Sequence, residues 1–370
     1  MVRSSLVVGA LLATACSRPS TPSSVPEAAS SAKLAATVDA SAAPLQDRWT
    51  KVAEPVACAD LAGDGAGAIF VKGGGSPPLD LSVAHGGVAL RVAALPSFTE
   101  TCNLAVDATG FFVVNAGVTV PTGREGSVVQ IDRATKAATV VHTAKESLRF
   151  VALDDNAIYA IQEEKKYGVV RIDKRTRKAS MLAPLSAPAS ALAKVKNELL
   201  VSTCALVTGA DAAHPKGCTI SAIEIATGAS RTIAKNVGPA YAFAVDGDVA
   251  YIPDATSGTV TSLAADGSMR IIARDLGAIR GLAFDDTRLY VVADRTLRAI
   301  TKDGGPATTL ATFEHPAQAI VLQGNDVYLL MHIRGANYEL PANYETPMTG
   351  SGTYLARASK SALLADAKVH

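Results

Sequence analysis

The amino-acid sequence predicts an all-β protein that repeats one four-stranded unit along most of its 370 residues. Short runs rich in Val, Ile, Thr and aromatic residues alternate with Gly, Asp and Asn turns, which is typical of antiparallel strands. A pattern of the form apolar-Ala-x-Asp-x-x-x-apolar-aromatic-apolar also recurs along the chain. We therefore expect little helix, and residues 358–369 are the only plausible helical stretch.

The repeat has one anchor position, which is usually aromatic. It is occupied by Phe70, Phe112, Tyr159, Leu200, Tyr251, Tyr290 and Tyr328. Successive anchors lie 38 to 51 residues apart, and four short strands with their turns need ~40–50 residues in a β-propeller blade. The sequence thus predicts a β-propeller of seven four-stranded blades. Six blades is the alternative, if the region of Cys58 supplies only a closing strand.

The fifth copy shows the four strands most clearly. Its predicted strands are residues 241–245, 249–252, 259–263 and 269–273. Asp-Gly pairs between two of these runs are a strong hairpin indication.

As a spaced set, these copies resemble the bacterial β-propellers of the YVTN and NHL type, from residue 52 to the C-terminus. The Trp-Asp ends of WD40 blades, the double glycines of kelch and the tryptophan motifs of quinoprotein dehydrogenases are missing. Trp49, the only tryptophan, precedes the repeats. The resemblance implies a β-propeller fold, but it does not indicate which ligand the protein binds.

The amino-acid composition excludes several classes of protein. Hydrophobic residues make up 48% of the chain and charged residues 19%, with a formal net charge of +1. These values exclude a disordered chain and a generally basic nucleic-acid binder. The mean hydropathy is +0.22, yet no apolar run after residue 15 approaches the ~20 residues of a spanning helix. We therefore expect the apolar residues in short buried strands.

Residues 1–15 predict a secretion signal, with one cation at Arg3 and a short apolar stretch before small residues. The run Ala13-Thr14-Ala15-Cys16 resembles bacterial lipoprotein signals, whose cysteine becomes lipidated, although Leu12 stands one place too early. We expect lipidation of Cys16, and the alternative is an ordinary signal peptide that is cut nearby.

Residues 16–47 form a predicted flexible tether, and residues 48–370 the propeller. Ala, Ser, Pro and Thr account for 21 of the 30 residues 17–46, a composition that cannot build a core. We expect a monomer in the bacterial cell envelope, on the outer membrane and facing the periplasm or the cell surface. Its membrane contact is predicted to come from the lipid anchor only.

Four further cysteines predict two disulfides in an exported protein. Cys204 and Cys218 bracket a loop that contains Gly and Pro, so a bridge there would clamp a long hairpin. Cys58 and Cys102 would then pair across neighbouring repeats. The alternative is a metal site with His214, but no C-x-x-C spacing supports it.

Three long insertions fall between a second and a third strand, at residues 115–126, 204–218 and 331–350. They are predicted to rise from one face of the propeller, and loops on a rigid scaffold often carry binding residues. The alternative is neutral drift of surface loops. The candidate ligand-binding residues are Arg124, Arg334, Tyr338 and Tyr344.

No catalytic, metal-binding or cofactor-binding motif is recognisable. The histidines have no metal spacing, and the chain has no nucleophile elbow or phosphate loop. The aspartates that end the inner strands are expected to form turn hydrogen bonds; they are Asp107, Asp154, Asp246 and Asp285. Basic residues at 165–166 and 171–178 are expected on a solvated hairpin opposite the long loops.

The preferred hypothesis is a non-enzymatic module that binds or scaffolds a protein, peptide or glycan, with no nucleic acid, no metal and no cofactor. The alternative is a propeller enzyme of lactonase or lyase type with a site in the central channel, where Glu100, Asn103 and Arg149 lie near inner strands. A weaker hypothesis is an accessory subunit of an outer-membrane assembly machine.

Overall fold

The computed structural model describes residues 48–56, 60–65, 67–72, 79–95, 102–120, 123–163, 166–205, 217–332 and 353–367. The chain divides into two units, Met1–Ala43 and Pro44–His370, and every described residue belongs to the second. The predicted signal peptide, the lipidation site Cys16 and the whole predicted tether therefore lie outside the described residues.

Seven sheets of four antiparallel strands form the described part of the chain. β1 (Thr50–Ala53) comes first and belongs to the last sheet. Blades 1 to 3 follow, each in the order first, second, third and outer strand. They comprise β2 (Ala62–Gly63), β3 (Ala68–Lys72), β4 (Leu79–His85), β5 (Val88–Leu95); β6 (Cys102–Val106), β7 (Gly110–Val120), β8 (Gly123–Asp132), β9 (Ala138–Thr143); β10 (Ser147–Leu153), β11 (Ala157–Glu163), β12 (Gly168–Asp173) and β13 (Ala179–Pro184).

Blades 4 to 7 continue the same order. They comprise β14 (Ala189–Val195), β15 (Glu198–Thr203), β16 (Cys218–Glu224), β17 (Ser230–Val237); β18 (Ala244–Asp246), β19 (Val249–Asp254), β20 (Thr259–Leu263), β21 (Met269–Ala273); β22 (Ile279–Phe284), β23 (Arg288–Ala293), β24 (Thr296–Thr301), β25 (Thr308–Thr312); β26 (Ala317–Gln323), β27 (Asp326–His332) and β28 (Thr353–Ser359). The helix α1 (Lys360–Asp366) follows β28, within the predicted helical stretch.

The first strands of neighbouring blades contact each other around a closed ring, including β26 of blade 7 with β2 of blade 1. β1 pairs with β28 as the outer strand of blade 7, so the two ends of the propeller domain share one sheet. The protein is a seven-bladed β-propeller, which confirms the predicted fold and makes the six-blade alternative wrong.

The anchor residues lie in the second strand of every blade, and none is more than 4% exposed. In the described part, seven hydrophobic clusters each join one blade to a neighbour, as when Tyr290 of blade 6 packs with Val327 of blade 7. The repeat detected in the sequence is therefore the repeat of the blade interfaces, because each anchor fills one of them.

Blade 1 differs from the predicted register by one residue. Asp64 takes the place of Asp107, since the Gly67 and Gly110 amides donate to their side chains in the same way. The residue five positions later is Ile69, which packs toward blade 2. Phe70 packs toward blade 7 instead, because consecutive strand residues point to opposite faces.

The first strand of blade 5 is shorter than predicted and begins at Ala244. Pro253 in the neighbouring second strand has no N–H to donate. The preceding segment bonds elsewhere: the Gly238 amide donates to Asp254 Oδ2 (2.8 Å) and the Ala240 amide to Ser202 Oγ (3.4 Å). The other three strands of this blade lie where the sequence predicts them.

No helix in the described ranges is long and apolar enough to cross a membrane.

Candidate functional site

The propeller has two faces that differ in what they carry. Because the strands of a blade are antiparallel, the first-to-second and third-to-outer turns lie at one end, which we call the lower face. The second-to-third connections and the passages between blades lie at the other end, the upper face. All three long insertions are second-to-third connections, so they leave from the upper face.

The bases of the three insertions are well defined. The β7–β8 hairpin extends past Asn115 and stays paired as far as Val120 and Gly123. A disulfide between Cys204 and Cys218 closes the connection between β15 and β16, which confirms the predicted pairing and leaves both thiols unable to act as metal ligands. The buried pair His332 and Thr353 lies at the base of the third insertion.

The predicted ligand-binding residues remain predictions. Arg124 belongs to β8, but its side chain is outside the described part. Arg334, Tyr338 and Tyr344 fall in residues 333–352, which are also outside it.

The second predicted disulfide, Cys58–Cys102, also remains a prediction. Cys102 is the first residue of β6, but its side chain and the whole of Cys58 lie outside the described part.

A polar network at the upper end of the central ring joins the first three blades. Asp60 Oδ2 accepts hydrogen bonds from the Leu104 amide (3.0 Å) and the Asn103 side chain (3.4 Å). Asn103 Oδ1 then accepts from the Phe150 amide (2.8 Å). Each contact joins one blade to the next, so the network fastens blades 1, 2 and 3.

Burial raises the pKa of Asp60, and hydrogen bonds from Leu104, Leu61 and Asn103 offset only part of this effect. A raised carboxyl pKa in a channel is a property of many general acids. Here, however, both carboxylate oxygens already accept bonds from the chain's own donors. Asp60 was not among the residues predicted from the sequence, because it precedes the first repeat and matches no motif.

Arg149 lies near the same network. Its guanidinium forms an ion pair with Glu163 (3.3 Å) and stacks over Phe150, 5.3 Å from the ring centre. Glu100, the third predicted channel residue, is outside the described ranges. Within those ranges no group of three or more His, Cys, Asp or Glu side chains could hold a metal ion.

Aspartates at the ends of first strands stabilise the turns of the lower face. Asp107, Asp154 and Asp285 each accept backbone N–H bonds from the turn that follows them, at 2.6–3.0 Å. These three predicted turn hydrogen bonds are confirmed. For Asp246 the prediction is wrong, since its carboxylate accepts from Lys302 Nζ (2.5 Å) instead.

Most carboxylates at this position also bind the next blade, which no motif in the sequence indicated. In four cases the residue directly after a third strand reaches back to the aspartate of the preceding blade. The pairs are Arg133 with Asp64 (3.5 Å), Lys174 with Asp107 (2.5 Å), Lys302 with Asp246 (2.5 Å) and Lys360 with Asp285 (2.9 Å).

Two of the other three blade junctions lack both charged residues, and the third keeps only the aspartate. Where the aspartate position holds Val195 or Gln323, the partner position in the next blade holds Ala264 or Gly86. Asp154 faces Ile225 and is bound by the Tyr159 hydroxyl (2.5 Å) instead. Aligning the repeats two positions at a time would have revealed this pattern.

At Asp285 and Asp107 these contacts lower the carboxyl pKa. Burial alone would raise the pKa of Asp285, but hydrogen bonds from Lys360, Thr287 and Tyr290 outweigh it and hold the pKa well below its usual range. Asp107 behaves alike, with Lys174 as the main opposing partner. Burial and the hydrogen bond to Asp154 raise the pKa of Tyr159 to about 12.

An open depression of about 420 Å³ lies on the lower face between blades 1 and 2. It is lined by Gly63, Asp64, Val106, Asp107, Ala108 and Arg133. The Arg133 guanidinium bridges its walls through Asp64 and the Asp107 carbonyl (3.2 Å). The depression therefore lies over the junction of blades 1 and 2, where Arg133 joins the two blades.

We expect Lys360→Met to lower the free energy of unfolding by about 1–3 kcal/mol near neutral pH, because Asp285 loses a charged hydrogen-bond partner. The contribution of Asp285 is fully present above the ordinary carboxyl pKa of 3.8 and is lost as pH falls toward the lower folded value. Denaturant titrations should thus show the two proteins converging in acid.

The matched control is Arg231→Met. Its ion pair with Glu198 is exposed (53% and 35% of the side chains), so its loss should change stability by only about 0–1 kcal/mol. A Lys360→Met deficit that persists undiminished in acid would contradict the role given to Asp285.

The comparisons with known proteins find similar structures and no similar sequence. No family model and no curated protein matches the sequence. Among solved structures, the computationally designed Ika8 protein is similar over 80% of this chain and 81% of its own, with 15% identity and a TM-score of 0.51. A nidogen/laminin complex matches over 70% of this chain and 98% of its own, with 13% identity and a TM-score of 0.44.

Proposed function

We propose that this chain is a lipid-anchored β-propeller of the bacterial cell envelope whose upper face binds a protein, peptide or glycan. The observation that carries the proposal is that all three long insertions leave from this one face. Its anchor is Cys16, and its YVTN- and NHL-like repeats and outer-membrane location belong to the same proposal.

The contrast between the two faces supports this assignment. On the lower face, short turns are joined by four inter-blade ion pairs. On the upper face, the bases of the insertions are held by the paired β7–β8 hairpin and by the Cys204–Cys218 disulfide. A rigid ring that carries variable loops suits recognition, because the scaffold limits the entropy lost by the loops on binding.

The test is an envelope pulldown after crosslinking, with the full chain and with a variant that lacks residues 333–349. We expect at least one specific partner of the full chain to be lost or reduced about tenfold or more, since a few residues commonly supply most of the binding energy. Tyr338→Ala with Tyr344→Ala should reproduce part of this loss.

The control is Arg231→Met, which changes the lower half of blade 4 and should leave the partner set unchanged. An identical partner set for the full chain and the deletion variant would overturn the proposal. Hydrolysis of lactones by the purified chain would favour the channel enzyme instead.

A further inference from the structure

The third-to-outer turns of blades 2 and 3 present a cluster of exposed cations on the lower face. We call Lys136, Arg175, Arg177 and Lys178 the basic patch; all four side chains are exposed. None of them forms an ion pair within the described part of the chain. The same two turns also contain Arg133 and Lys174, which point inward to Asp64 and Asp107.

The acidic residues of these turns, Asp132 and Asp173, offset part of the charge of the basic patch, but their carboxylates are directed into the turns, whereas the four cations are exposed. Asp132 Oδ1 accepts from the Thr135 amide (2.7 Å), and Asp173 Oδ1 accepts from the Thr176 amide (2.6 Å). The exposed Asp155, in the neighbouring turn of blade 3, adds one opposing charge. The patch therefore keeps an excess of positive charge.

Two of these cations occupy backbone positions that favour glycine. Lys136 and Arg177 have φ angles of 60° and 59°. Their amides donate to Asp132 O (2.9 Å) and Asp173 O (2.8 Å). In blade 4 the same place in the turn holds Gly228, with φ of 74°.

A left-handed conformation is strained for a residue with a Cβ atom and natural for glycine. The Lys136 ammonium donates to the Arg133 carbonyl (2.6 Å) and lies over the Phe111 ring. No contact within the described part of the chain accounts for the Arg177 side chain, so its strained backbone position supports a role for that side chain outside the turn.

The described chain enters the propeller at this same face. β1 runs antiparallel to β28, and its first residue, Thr50, pairs with Arg357 near the lower end of that strand. Just before it, Arg48 donates to the Ala362 carbonyl in α1 (3.3 Å) and forms an ion pair with Asp366. The chain that precedes residue 48 is therefore attached to the propeller at the lower face.

We propose that, beyond the lipid anchor that alone was expected from the sequence, the basic patch contacts the phosphate groups of an anionic membrane surface, so that the lower face lies toward the membrane and the upper face away from it. This orientation rests on the proposed anchor at Cys16. A flexible chain of 32 residues spans on the order of 30 Å, so a tether of the kind that the sequence predicts would keep the patch within reach of the surface.

A membrane suits the patch better than a nucleic acid does. Residues 132–137 and 173–178 contain no aromatic residue, whereas proteins that bind single strands use aromatic side chains as stacking platforms. Exposed cations at turn tips are sufficient to bind anionic headgroups, because this attraction depends on charge density and does not require a shaped binding site.

The test uses the full chain with Cys16→Ser, so that no acyl chain contributes, and vesicles of equal parts phosphatidylglycerol and phosphatidylcholine. Adding Arg175→Glu, Arg177→Glu and Lys178→Glu should weaken cosedimentation with these vesicles by about tenfold or more at low salt. Vesicles of phosphatidylcholine alone should bind both proteins weakly and equally.

The matched control reverses three exposed cations of the upper face, Lys145, Arg274 and Arg295, in the same Cys16→Ser chain, and should leave the vesicle affinity within about twofold. Equal binding by the patch variant and its parent would overturn the proposal, as would equal binding of the parent to both vesicle types. Wild-type protein in the soluble cell fraction would instead refute the anchor, and the vesicle result would stand.

A second variant separates binding from structure. Lys136→Gly with Arg177→Gly should raise Tm by about 1–3 °C, because the strain at both turns is relieved. The same variant should bind the anionic vesicles several-fold more weakly. A rise in Tm without any loss of vesicle binding would contradict a binding role for these side chains.

Discussion

Tyr290→Ala is expected to lower the free energy of unfolding by about 3–5 kcal/mol, the largest effect of any single substitution considered. The Tyr290 side chain is fully buried between blades 6 and 7. Its removal leaves a cavity in that interface and also takes a hydrogen bond of 2.8 Å from Asp285 Oδ2. Guanidinium titration of the two proteins measures the difference.

Two conservative variants divide this loss into its parts. Tyr290→Phe keeps the ring and removes only the hydroxyl, so about 1–2 kcal/mol should be lost. Tyr251 holds the same position in blade 5, and Lys302 binds the nearby Asp246 instead, so Tyr251→Phe should be nearly neutral. Equal losses in the two Phe variants would show that the Asp285 contact contributes nothing.

Replacing both Cys204 and Cys218 by Ala should destabilise the protein by about 3 kcal/mol, the value expected for a bridge that closes a loop of this size. The cysteines are 14 positions apart and lie at the ends of β15 and β16. Without the bridge, the unfolded chain regains the freedom of that loop. Chemical unfolding of the double variant under oxidising conditions gives the number.

The double variant is preferable to reduction of the wild-type protein, because a reductant would also open the predicted Cys58–Cys102 bridge. Dithiothreitol added to the double variant then reports on that second pair. The second pairing would be wrong if dithiothreitol caused no further loss of stability and mass spectrometry found free thiols at Cys58 and Cys102 before the reductant was added.

Much of the fold could be predicted from the sequence because the propeller is built from local patterns. Asp-Gly turns indicate the hairpins, and the spacing of the anchors predicts seven blades with six as the alternative. The prediction slipped by one residue in blade 1, where Ile69 and Phe70 are both apolar, so composition alone cannot tell which of them faces blade 2.

The candidate site was less predictable for a different reason. The ion pairs Asp107–Lys174 and Asp285–Lys360 join residues 67 and 75 positions apart, and each member looks like an ordinary turn residue in its own repeat. Asp60 belongs to no repeat, so only its contact with Leu104 reveals its part in fastening the first blades.

The sequence by itself determined the strands, their grouping into four and the face from which the long insertions leave, because hydrophobic alternation and turn chemistry act over a few residues. Only the tertiary structure decided which charged side chains meet. Closing seven blades into a ring brings Asp64 to Arg133, leaves Lys136 and Arg177 exposed, and places Arg48 on the same face. Those distances depend on the ring and not on any local pattern.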